Sequence, residues 1–70
     1  MKTKGIYDIE KIDKKGNFMG KLKSNLSFNE AQKIVFNTKE IKNVNCLIII
    51  KYKFIHNKGL YFSIVDKRYL

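Results

Sequence analysis

Four side chains near the C-terminal end could do metal-free phosphodiester chemistry: His56, Lys58, Arg68 and Tyr69. Histidine and tyrosine can move a proton, and lysine and arginine can hold a developing phosphate charge. A small basic ribonuclease toxin would need no more than such a set. The same residues occur together in many basic chains, and His56 falls in a turn-like stretch, His56-Asn-Lys-Gly59, where a lone histidine is usually plain turn sequence. The carboxylates Asp8, Glu10 and Asp13 cluster near one strand and turn, with no pocket or lid to raise a pKa. The single cysteine, Cys46, excludes an internal disulfide, fits a reducing compartment, and opens the most apolar run as a small buried hydrophobe. One histidine and one cysteine make no metal site, and the scattered glycines make no phosphate-binding loop. No catalytic residue, metal or cofactor is therefore assigned, and the chain reads as non-enzymatic.

Binding chemistry is better represented. Fifteen Lys and Arg against six Asp and Glu leave a formal charge of +9 in 70 residues. Six acids cannot neutralise fifteen bases, so basic surface must remain, and it attracts acidic proteins or nucleic acid. Lys, Ile and Asn supply 14, 10 and 7 residues, a bias toward AT-rich codons that explains part of the lysine excess without function. Acids follow the N-terminal lysines at once, where a signal peptide would need an apolar stretch. The longest apolar run, Cys46 to Ile50, is far short of the about 20 residues a membrane span requires. A cytoplasmic protein with no membrane contact is expected, as a single domain over residues 1–70.

The elements that position these residues follow from local pattern. Ile6 to Asp13 reads as a strand, then a turn at Lys14-Lys-Gly-Asn17 with Gly16 free to take a positive φ. Phe18 to Lys23 is its hairpin partner, with a bulge or close backbone approach at Gly20. Ser27 and Glu30 form a capping box, flanked by Leu26 and Ala31 at the staple positions. The helix should run from Phe28 to about Lys39, with Phe28, Ala31, Ile34 and Val35 on one stripe. A loop from Ile41 to Asn45 leads to a strand from Cys46 to Ile55. The last strand runs from Leu60 to Val65, and Asp66 to Leu70 form a tail. The fold class is α+β, ββαββ, a four-stranded antiparallel sheet with one helix packed on one face. Whether the hairpins meet through the first and third strands or the first and fourth is left open.

Alternation assigns faces. Cys46, Ile48, Ile50, Tyr52 and Phe54 should face the helix, with Leu60, Phe62 and Ile64, Phe18 and Leu22, and Tyr7 and Ile9. The open face would then carry Lys21, Lys23, Lys51, Lys53 and Tyr61, with Asp8 and Glu10 able to pair with the lysines. Such a stripe suits DNA, with Tyr61 available for stacking or phosphate contact. It equally suits a solvated face whose lysines deter edge pairing. On the helix, Lys33 is basic and Phe36 misses the apolar stripe. Phe36 either covers the Lys42–Asn45 loop or anchors a protein interface or dimer.

Leu26-Ser27, Ala31, Lys33-Ile34, the run Asn57-Lys-Gly-Leu-Tyr61 and Asp66-Lys-Arg68 resemble, in layout, very small phage anti-CRISPR proteins. The nearest are the roughly 70-residue inhibitors of the type I-F surveillance complex. The resemblance covers most of the chain as layout and about ten residues as identity. It implies a phage- or mobile-element-encoded inhibitor that binds a Cas subunit of a host ribonucleoprotein, with basic residues beside the guide or target-DNA channel. Only the basic helix position, Lys33, carries over as a contact, because Ile41 to Asn45 depart from that family's pattern. Direct DNA binding through the lysines and a plain regulatory module on an acidic protein remain alternatives, as a monomer or small homo-oligomer.

Overall fold

The structure, a computed structural model, describes residues 6–55 and 59–70, and side chains for all of these but 54 and 55. The chain forms β1 (Tyr7–Ile12), β2 (Phe18–Leu26), α1 (Phe28–Asn37), β3 (Cys46–Ile55) and β4 (Gly59–Tyr69). The sheet is fully antiparallel in the order β2-β1-β3-β4. The two hairpins therefore meet through β1 and β3, the first of the two arrangements the sequence left open. This is the expected α+β, ββαββ architecture.

The first hairpin is built by its turn residues. The Asp13 carboxylate accepts the backbone N–H groups of Lys15 and Asn17, both at 2.9 Å. Gly16 closes the turn at φ +85°, a conformation that side chains resist. Gly20 sits at φ +110°, where the β1–β2 register slips between Lys11 and Ile12, so the expected bulge is present. A second irregularity ends β2. Asn25 takes the left-handed φ of 58°, and its N–H donates to Asp8 Oδ1 at 3.0 Å.

That bend delivers the chain to α1. Ser27 Oγ accepts the Glu30 N–H at 3.1 Å, and Glu30 Oε1 accepts the Ser27 N–H at 3.0 Å. Leu26 and Ala31 are buried in one cluster on either side of this cap. The helix ends at Asn37, two residues earlier than its pattern predicts. Thr38 turns extended there, and its hydroxyl donates to the Ile34 carbonyl. Arg68 from β4 completes the stop: its Nη1 donates to the carbonyls of Val35, Phe36 (2.7 Å) and Thr38 (3.2 Å). A cation at the helix C-terminus satisfies carbonyls that have no partner within the helix.

The core faces differ from the pattern-based assignment. Tyr7, Ile9 and Leu22 do pack on the helix side, with Leu26, Ala31, Val35 and Val44. In β3, however, the residues under the helix are Leu47 and Ile49. Cys46, Ile48, Ile50 and Tyr52 form a separate cluster on the opposite face with Ile12. Phe62 follows Tyr52 to that face, at 6.4 Å between ring centroids, and Leu60 and Ile64 share its alternation. The reason is length. A ten-residue helix spans about 15 Å, whereas the ten residues of β3 span about 33 Å. The helix covers only the β3 end that carries Leu47 and Ile49, and Lys51 and Lys53 continue past it on the same side.

The last strand is also longer than expected. Residues 66–69 continue β4, because one extra residue, Val65, is accommodated as a register shift between Ile49 and Ile50. The shift inverts the alternation beyond it. It places Arg68 opposite Leu47, on the helix side, where it reaches the end of α1.

Candidate interaction surface

The seven side chains singled out from sequence do not form one stripe. Lys21 lies on the face opposite the helix: its ammonium meets Asp8 Oδ2 at 2.7 Å and sits 5.1 Å from the Tyr52 ring centroid. Lys51 and Lys53 stand opposite Ser63 and Tyr61, on the helix side by alternation from Ile49. Lys23 is exposed opposite Ile9, where the register slips. The expected open face of four lysines and Tyr61 is thus divided between the two faces of the sheet. The expected pairing of acid with lysine is present at Asp8 and Lys21.

The ion pair is a local anchor with a defined electrostatic consequence. Asp8 is 4% exposed and holds Asn25 as well as Lys21. The Lys21 pKa is raised from its ordinary 10.5, first by the hydrogen bond to Asp8 and then by one to Tyr52. An ammonium already committed to a carboxylate and a tyrosine is a weaker phosphate ligand than a free one.

Glu10 is less well served. Its Oε2 is buried and has no hydrogen-bond partner among the described residues. It borders a small hollow of about 200 Å³ lined by Phe18, Ile50, Tyr52 and Phe62. Burying a polar atom without a partner costs about 1–3 kcal/mol. Glu10→Met fills similar space without the carboxylate, and is expected to raise the urea midpoint with an unchanged m-value. A lowered midpoint would show that the carboxylate has a stabilising role.

Lys33 and Phe36 are brought together with residues the sequence had left in a tail. Gln32, Lys33, Val35 and Phe36 of α1 and Asp66, Lys67 and Arg68 of β4 line one open groove of about 490 Å³. Phe36 is 77% exposed, and the Arg68 guanidinium lies 5.7 Å from its ring centroid. Arg68 is thus held by three backbone carbonyls while its plane meets an aromatic ring, a contact that favours Phe36 in a fixed position. The helical wheel of α1 marks Phe36 in advance. Arg68 has no such signal, since its partners lie more than 29 positions away in the chain.

Of the four residues of the ribonuclease reading, two are described. His56 and Lys58 lie outside the described residues. Arg68 is bound to the helix end, and Tyr69 stands opposite Cys46, on the other face of the sheet. Among the described residues no helix is long and apolar enough to cross a membrane.

No family model, curated protein or solved structure matches the chain.

Proposed function

We propose that the protein is a non-catalytic binding module that acts by occupying the surface of a protein partner, with the Phe36 groove as its contact. One observation carries this reading: Phe36 projects into solvent from a helix capped at both ends, with Lys33 and Arg68 lining the same groove. A rigid aromatic beside an arginine is the pairing enriched where binding energy concentrates. The surrounding cations and the +9 charge select an acidic partner surface with an apolar notch for the ring. Combined with the resemblance to type I-F anti-CRISPR proteins, the partner is a Cas subunit. The protein is then an inhibitor encoded by a phage or mobile element, working in the host cytoplasm without chemistry.

The test is phage plating on a host with active type I-F immunity. Expression of the wild-type protein should raise the plating of a targeted phage, and Phe36→Ala or Lys33→Glu should restore immunity. Unchanged plating with wild-type protein removes the Cas reading. Equal inhibition by folded Phe36→Ala removes the groove as the contact.

A second reading, direct DNA binding, is supported by the surplus of cations, of which Lys23 and Lys53 are exposed. It requires log K to fall with log salt by about 0.9 per phosphate contacted. It also requires a weaker complex in Lys51→Glu/Lys53→Glu. A flat salt response excludes it.

A further inference from the structure

The two edges of the sheet are treated differently. On β2, three register shifts, positive φ at Gly20 and Asn25, and Lys21 and Lys23 all break the edge. Bulges and lysines are the means by which natural sheets prevent further pairing. From Leu60 to Ile64 the β4 edge has none of this; Gly59 at φ +88° and the register shift at Val65 lie only at the two ends of that stretch. Leu60-Tyr-Phe-Ser-Ile-Val65 is an uncharged tract with five large apolar side chains, and every residue from Leu60 to Lys67 is exposed. The side chains of both faces are open: Leu60, Phe62 and Ile64 on the side of Tyr52, Tyr61 and Val65 as well. An edge strand also leaves a row of backbone N–H and C=O groups without a ladder partner.

We infer that this edge pairs with the β4 edge of a second copy, giving a two-fold dimer with a continuous eight-stranded sheet. The tract matches itself. In an antiparallel pairing about Ser63, Phe62 of one copy faces Ile64 of the other, and Tyr61 faces Val65. This register sets aromatic against aliphatic residues, the favourable cross-strand combination. No charge of one copy meets its like at the centre, and Lys67 and Arg68 of the two copies fall at opposite ends. Because the β2 edge is blunted, the contact is isologous and closes at two copies, with no filament. The inference does not rest on the proposed function: the dimer contact centres on Ser63, while the groove draws on β4 only from Asp66 to Arg68.

Sedimentation of the full chain should show a monomer–dimer equilibrium that tightens with added salt, because screening relieves the repulsion between two copies of +9 charge. Ile64→Lys, which loses an apolar contact and brings like charges across the axis, should weaken the dimer about tenfold or more. Ser63→Cys should form a disulfide-linked dimer on mild oxidation while Lys23→Cys, on the other edge, does not. Cys46 is buried and should not compete. A wild-type protein that stays monomeric at all concentrations overturns the inference. So does a dimer that survives Ile64→Lys unchanged, or one that Ser63→Cys fails to trap, which would place the contact on another surface. Capture of a foreign strand by β4 would appear as a wild-type monomer, and likewise overturns it.

Discussion

Ile49→Ala is expected to remove about 2–5 kcal/mol of folding stability. A 70-residue domain has a total of only about 4–10 kcal/mol at the usual stability per residue. The variant should therefore populate unfolded chain even without denaturant. The size of the effect follows from position. Ile49 is fully buried, between the central strands and the helix, in one cluster with Ile9, Ala31, Val35 and Leu47. Truncation leaves a void that a short helix capped at both ends cannot collapse to fill, so the cavity adds to the lost transfer energy. Ile64→Ala is the matched comparison, since Ile64 is 53% exposed and lies on the other face. Urea denaturation of both variants decides the matter: an Ile49→Ala midpoint no lower than that of Ile64→Ala would mean that the helix does not cover this side of β3.

The second large effect is expected at Asp8. Asp8→Ala should cost about 2–3 kcal/mol, most of it from the Asn25 N–H left without an acceptor in a part-buried site. The Lys21 contact contributes the smaller share, because the Lys21 side chain is 45% exposed and water screens it. Asp8→Asn keeps a side-chain oxygen for Asn25 while removing the charge, and should cost clearly less. Equal losses in the two variants would mean that charge, and not the hold on the left-handed bend, is what Asp8 supplies. The titration of Lys21 offers an independent reading. Its pKa is raised in the folded protein, so the associated stability is fully present below the ordinary 10.5. It is lost as the pH climbs through the raised value. In Asp8→Ala the Lys21 side-chain resonances should titrate closer to 10.5.

Local signals in this sequence are reliable, and the faces of β3 are not, for a physical reason. The Ser27–Glu30 box, the Gly16 turn and the Gly20 bulge each involve residues within a few positions of one another, and each is found where its pattern predicts. Cys46 to Ile50 are apolar without interruption, so alternation has nothing to choose between there. Lys51 and Lys53 then bias the choice toward the wrong side, because nothing in the pattern reveals how little of β3 a ten-residue helix can cover. The Val65 irregularity hides Arg68 in the same way, since one inserted residue reverses the side on which everything after it emerges. Of the candidate site, Phe36 and Lys33 were legible from the helix alone. The groove that joins them to Arg68 depends on contacts across half the chain.

The pairing of β1 with β3 also decides how the chain can assemble. Each hairpin is a local unit, but neither can bury its own apolar surface, because the cluster under the helix draws Ile9, Leu26, Ala31 and Val35 from one half and Leu47 and Ile49 from the other. The segment between α1 and β3 acts as a tether. It turns what would be an encounter between two halves into a short loop closure, whose entropic cost grows only slowly with loop length. Folding of the second hairpin onto the first is thus a binding reaction held at high effective concentration, with Val44, buried in the tether itself, as part of the contact it brings about.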